Sequence, residues 1–255
     1  MPDFPAMIAP AGHVEPAPRR VRAFLDGMPV VDSVRARYVW EWPNYPQYYV
    51  PFDDFDPACL VDDGRTHRTR LGEVRKFSLA VGGSHRPGSV RVHTGDLDPR
   101  LAGLARVAWD APDAWFEEDE EIFVHPRNPY TRVDAVRSNR PVRIELDGLL
   151  LADAPVSVMV FETGLPTRYY VDRTSVDFTH LERSTTQTPC PYKGLTSSYW
   201  SIRSGGTLHE DLVWAYDFPT RAMAPIAGLV AFYNEKVDIS IDGERLERPV
   251  THFFS

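Results

Sequence analysis

Apolar and polar residues alternate along most of this chain in short runs, each closed by turn residues. Val142, Ile144 and Leu146 occupy every second position and run into Asp147-Gly148. Such alternation puts one set of side chains on a single face of a strand. Asp-Gly supplies the positive φ that a tight hairpin turn requires. The pattern predicts further strands over 156–162, 168–171, 199–203, 212–217, 230–233 and 237–241, with short helical pieces or turns over 175–182 and 223–228. The chain has 23 prolines, and proline breaks helix interiors, so little helix is expected.

The pattern occurs twice. Val21-Arg22-Ala23-Phe24-Leu25-Asp26-Gly27 matches Val142-Arg143-Ile144-Glu145-Leu146-Asp147-Gly148, and the register holds without a gap from there to Leu60 and Leu181. Val39 meets Val160, Glu41 meets Glu162, Tyr48-Tyr49-Val50 meets Tyr169-Tyr170-Val171, and Asp56 meets Asp177. Further on, Phe77 aligns with Trp200, Val90 with Val213, and Ala102-Gly103-Leu104 with Ala227-Gly228-Leu229. Copy A thus spans 20–120 and copy B 141–255, with 121–140 as a connector and 1–19 as a flexible tail. Each copy is long enough to bury its own core. The expected fold class is mainly β, two tandem domains related by internal duplication, expected to pack on each other.

Composition narrows the function classes. The net charge is −8 and the pI near 5.5, which disfavours a nucleic-acid partner. One local segment is basic (Arg65, His67, Arg68, Arg70, Arg75 and Lys76). It lacks interleaved aromatics and reads as a salt-bridged surface rather than a nucleic-acid site. Glu117 to Glu121 is an acidic run; such runs are mostly solvated faces, though one carboxylate could bind a cation. No window holds the run of about 20 apolar residues that a membrane span needs. The opening residues lack the order of a secretory signal, so a cytoplasmic protein without a membrane partner is expected. Two cysteines, Cys59 and Cys190, make neither a disulfide framework nor a four-cysteine zinc site. No phosphate loop, dinucleotide fingerprint, nucleophile elbow or metalloprotease helix occurs. No cofactor and no metal is expected.

Several segments resemble a known family. They are Thr188-Pro189-Cys190-Pro191-Tyr192-Lys193-Gly194, Tyr199-Trp200-Ser201, Leu212-Val213-Trp214-Ala215-Tyr216 and Ile226-Ala227-Gly228-Leu229-Val230-Ala231-Phe232-Tyr233. Ala114-Trp115-Phe116-Glu117-Glu118-Asp119-Glu120 and Val124-His125-Pro126-Arg127 are similar to its tandem subgroup. The family is domain of unknown function 427. The resemblance implies a β-tent-like fold in each copy and no established reaction. Zinc knuckles found in β-tent relatives have no counterpart here. Opposite Cys190 to Lys193, copy A carries roughly Leu71 to Val74, so copy B is the expected site.

The candidate ligand-binding residues are Arg168, Tyr170, Cys190, Tyr192, Lys193, Tyr199 and Trp214. Arg168 suits bidentate contact with a ligand carboxylate, or an internal pair with Glu162 or Asp177. Lys193 suits a carboxylate or phosphate, or is a solvated turn lysine. The aromatic rings either fill the core or wall a pocket. Cys190 is the candidate nucleophile, favoured by Lys193 and lacking an assigned base among His180 and His209; otherwise it is a small buried apolar residue. Three functions follow. The first is a module binding an unknown small molecule through a polar-aromatic pocket in copy B, or one between the copies. The second is an enzyme using Cys190 as nucleophile or redox residue. The third is a structural or protein-interaction module.

Overall fold

A computed structural model describes residues 9–251 and 254 of the chain. The described residues up to Asn128 form one compact unit and those from Pro129 onward a second. Both are mainly β. The helical pieces among the described residues are short 3-10 turns such as Pro57–Cys59 and Arg221–Ile226.

Each unit contains a seven-stranded and a four-stranded antiparallel sheet. In the first, the large sheet runs Val14–Pro16, Arg37–Val39, Gln47–Pro51, Leu104–Val107, Ser84–His93, Gly72–Val81, Leu60–Thr69. In the second it runs Val133–Ser138, Ser157–Glu162, Arg168–Val171, Val230–Phe232, Thr207–Ala215, Ser198–Ser204, Leu181–Ser184. The two orders are the same, element for element, which is the duplication seen as topology.

The hairpins form where Asp-Gly was read. Asp147 and Gly148 have φ of 51° and 80°, and Asp26 and Gly27 have 50° and 73°. Positive φ at both central residues matches the turn to the twist of its strands. The returning strand is Leu149–Ala154, paired with Val142–Leu146. The alternation pattern instead predicts the next strand over 156–162. The strand there, Ser157–Glu162, belongs to the other sheet.

Two assignments outside the repeat are corrected. The expected connector carries strand Val133–Ser138, which pairs along its whole length with Ser157–Glu162. Within the expected flexible tail, Val14–Pro16 pairs with Arg37–Val39, and Arg19 forms an ion pair with Glu117. Residues 1–8 of that tail lie outside the described residues. The acidic run is also not uniformly solvated. Glu117 is buried and accepts a 2.5 Å hydrogen bond from the Tyr48 hydroxyl.

Period-two alternation gives the large sheet of the second unit two buried faces, whereas the outer face in the first buries only a small cluster around Val39, Tyr49, Leu101 and Leu104. In the second unit Val171, Trp200, Ile202, Val213, Ala215, Val230 and Phe232 face the small sheet, packing on Val142, Ile144, Ile239 and Ile241. Burying each such aliphatic side chain contributes about 1.5–3 kcal/mol. The intervening residues, Val158, Val160, Tyr170, Tyr199, Trp214, Tyr216 and Ala231, point the other way. They form a second cluster with Met223 and Ile226 of the 3-10 turn. Of the candidate residues, Arg168, Tyr170, Tyr199 and Trp214 lie on this outer face.

Candidate functional site

In copy B the outer face is built from one ladder row. Tyr199 pairs with Trp214, Trp214 with Ala231, and Ala231 with Tyr170. Directly opposed residues in antiparallel strands project to the same side, so three rings stand together around the small Ala231. Trp214 Nε1 donates to the Tyr170 hydroxyl at 3.1 Å. Burial, partly offset by Lys193, pushes the Tyr170 hydroxyl up to about 12. Tyr199 shares a 2.9 Å hydrogen bond with Thr188.

Arg168 lies over the Trp214 and Tyr233 rings, 5.8 and 5.4 Å from their centroids. It forks onto Glu235 with contacts of 2.5 and 2.7 Å. The expected internal pair therefore exists, but with Glu235 rather than Glu162 or Asp177. Burial alone would raise the Glu235 carboxyl; hydrogen bonds and charge from Arg168 prevail and hold it below the ordinary glutamate value.

Cys190 and Lys193 sit on an excursion between strands Leu181–Ser184 and Ser198–Ser204. A two-residue ladder closes it, Pro189 with Leu195 and Cys190 with Gly194. Gly194 has a φ of 94°, which lets the loop turn back. Lys193 is not a solvated turn lysine. It is buried and ion-paired with Glu162, whose side chain is 10% exposed. Its Nζ lies 4.0 Å from the half-buried Cys190 Sγ. Burial disfavours the ammonium, but Cys190 and Glu162 outweigh it and hold the Lys193 pKa above the ordinary lysine value. Tyr192 is half-buried; its carbonyl accepts from the Thr220 hydroxyl at 2.7 Å. His180 lies 3.6 Å from Asp177 and His209 3.8 Å from Asp147. The cation beside the thiol is Lys193.

The structure thus gathers Arg168, Tyr170, Lys193, Tyr199 and Trp214, each no more than 7% exposed, with Cys190 and Tyr192 on the covering loop. These groups largely satisfy one another.

Copy A holds the equivalent arrangement with different chemistry. Tyr49 pairs with Arg106 as Tyr170 pairs with Ala231. Arg106 Nε lies 2.6 Å from Glu41 Oε1, yet its N–H is not aligned for a hydrogen bond, so the contact is ionic. Arg106 also donates to Gln47 at 3.2 Å, and the Tyr49 hydroxyl donates to Glu41 at 3.0 Å. Burial and the Glu41 charge push the Tyr49 hydroxyl well above the ordinary tyrosine value. Both copies therefore keep a carboxylate at the same place, Glu41 or Glu162, and supply its cation from different elements.

Beside this pair is a cavity of about 200 Å³ whose lining includes Glu41, Trp42, Leu71, Arg91, His93 and Arg106. Leu71 is at the hairpin tip between Leu60–Thr69 and Gly72–Val81, where copy B has its longer excursion. His93 is 4% exposed and its Nδ1 has no hydrogen-bond partner. Burial holds its pKa below the ordinary histidine value. Sequence reading matched Glu41 with Glu162 but missed the site, because Arg106 faces Tyr49 only through strand pairing.

Among the described residues, no three His, Cys, Asp or Glu side chains converge as a metal site. No helix among them is long and apolar enough to cross a membrane.

Fold and sites together define a duplicated, mainly β protein in which each copy pairs a carboxylate at the same sheet position, Glu41 or Glu162, with a cation. The chain belongs to the family described as Domain of unknown function (DUF427), whose model matches residues 13–114 and 134–243. Comparison with curated proteins finds no match.

Proposed function

We propose that the protein is a small-molecule-binding module and that its ligand enters the copy A cavity. One observation carries this reading. The cavity lies against the half-buried Arg106–Glu41 pair and the Tyr49 hydroxyl and combines an indole, Trp42, with convergent polar groups, the usual make-up of a ligand site. The copy B cluster supports ligand binding less, since its polar groups already pair with one another. The test is a fragment mixture titrated into the protein while the Trp42 indole resonance is followed by NMR. A subset of fragments should shift it, and Leu71→Trp, which fills the space, should abolish the response. No response to any fragment, or an unchanged response in Leu71→Trp, would remove the reading.

A second reading is favoured by the 4.0 Å approach of Lys193 Nζ to Cys190 Sγ. A half-buried thiol beside a buried ammonium suits a reactive cysteine. Iodoacetamide should then label Cys190 faster than Cys59 at neutral pH, and Lys193→Met should slow it. Labelling of Cys190 at the rate of a free thiol in solution would eliminate this reading.

A further inference from the structure

Four adjacent strands of the copy A sheet place cations at one level. Arg65 pairs with Lys76, Lys76 with Arg91, and Arg91 with Arg106. Like charges directly opposed across a ladder destabilise it, so such a row needs anions. Glu41 serves Arg106. Among the described residues, Arg65, Lys76 and Arg91 make no ion pair, while their neighbours Arg68 and Arg75 pair with Asp96 and Asp62. The basic segment is therefore only partly salt-bridged.

The matching row in copy B carries no such charge. Lys76, Arg91 and Arg106 correspond through strand register to Tyr199, Trp214 and Ala231. The same backbone thus supports an uncharged row, and the cations are not a requirement of the fold. Arg91 and Arg106 both line the cavity, as does the exposed Arg70, against the single carboxylate of Glu41. His93 adds a buried nitrogen without a partner.

We propose that the Arg91–Arg106 end of this row is the binding site for a small oxyanion, a carboxylate or phosphate group, held in the copy A cavity chiefly by Arg91. The inference rests on the cavity being the ligand site and adds the class of ligand. A guanidinium offers two parallel N–H donors to either oxyanion. The indole of Trp42 and the Leu71 side chain leave room for an apolar portion on the same molecule.

The experiment is thermal unfolding of the full chain in sodium phosphate, in sodium malonate and in sodium chloride at matched ionic strength, which equalises general screening. A specific oxyanion should raise Tm saturably by about 2–4 °C over chloride. Arg91→Gln should abolish that rise, while its own Tm in chloride equals or exceeds that of the unsubstituted protein because a repulsive charge has gone. Should Arg91→Gln fail to fold, Arg70→Gln at the exposed edge replaces it and should reduce the rise. A response to phosphate alone or malonate alone assigns the group. No rise with either anion, or a rise untouched by both substitutions, overturns the proposal. Neutral fragments that still shift the Trp42 resonance in that event would leave the cavity as ligand site and sink only the oxyanion.

Discussion

Arg106 Nε stands 2.6 Å from Glu41 Oε1, on the ladder position that Ala231 fills in the second copy. Copy B meets the same carboxylate position from its loop, through Lys193. Conserving the anion while moving the cation has a physical consequence. Where the cation comes from the sheet, the loop is free to be short, and a cavity remains beside the hairpin tip. Where it comes from the loop, that loop covers the sheet.

Removing the shared carboxylate in copy A should show its role. Glu41→Gln leaves Arg106 facing Arg91 without a counter-charge. The side chains are 20% and 15% exposed, so the loss is smaller than for a dry ion pair. A destabilisation of about 1–3 kcal/mol is expected in urea unfolding. Adding Arg106→Gln should recover part of it, giving a coupling above about 0.5 kcal/mol in the double-mutant cycle. Additive losses would mean that the two groups do not interact.

The Arg168–Glu235 pair predicts an acid dependence. The folded Glu235 carboxyl is held below its ordinary value of 4.5. The unfolded chain thus binds the proton more readily. The pair's contribution is present in full above about 4.5 and is lost as pH falls through the lower folded value. Glu235→Gln should remove this component and cost about 3–5 kcal/mol at neutral pH, because Arg168 is left buried without its anion. Stability measured from pH 7 down to 3 checks both. An acid slope identical in Glu235→Gln would show that other carboxylates carry it.

Much of the frame was legible from residue patterns. Asp-Gly pairs marked the hairpins because few other dipeptides take positive φ twice, and Glu41 against Glu162 marked a shared position. Alternation also put Tyr170, Tyr199 and Trp214 on one face. What could not be read was contact set by strand order. Arg168 meets Glu235 only because Val230–Phe232 lies beside Arg168–Val171, and Arg65, Lys76, Arg91 and Arg106 form a row only through three ladder registers. Strand Leu149–Ala154 does not stand out in the sequence, because Leu149, Leu150 and Leu151 run together without alternation.

Tyr170 predicts an alkaline dependence of opposite sense. Its hydroxyl is pushed from 10.0 up to about 12, so the folded state holds the proton more tightly. Its contribution is intact below about 10 and declines as pH rises toward about 12. Tyr170→Phe removes the acceptor for Trp214 Nε1 and should cost about 1–3 kcal/mol at pH 8. Between pH 10 and 11.5 the difference between the two proteins should narrow. A gap that stays constant over that range would show that Tyr170 does not titrate with unfolding.

Glu117 offers the sharpest contrast between a charge and a hydrogen-bond acceptor. Its side chain is 2% exposed, whereas that of its partner Arg19 is 47% exposed. Losing the charge therefore strands little, since water can solvate the Arg19 guanidinium and Arg127, 3.9 Å away, also pairs with Glu120. Losing the oxygens strands more, because the Tyr48 hydroxyl donates to Glu117 at 2.5 Å and that of Tyr38 at 3.4 Å. Burial, reinforced by Glu117, raises both hydroxyl pKa values above the ordinary tyrosine value, so they remain neutral donors at pH 7. Glu117→Gln keeps one acceptor oxygen and should cost about 1 kcal/mol. Glu117→Leu is close in volume but leaves both hydroxyls in apolar surroundings, and should cost about 2–4 kcal/mol. Urea unfolding of the two variants at pH 7 gives the comparison directly. A leucine variant as stable as the glutamine variant would mean that the tyrosine hydroxyls find other partners, and that Glu117 serves only its arginine partners, Arg19 and Arg127.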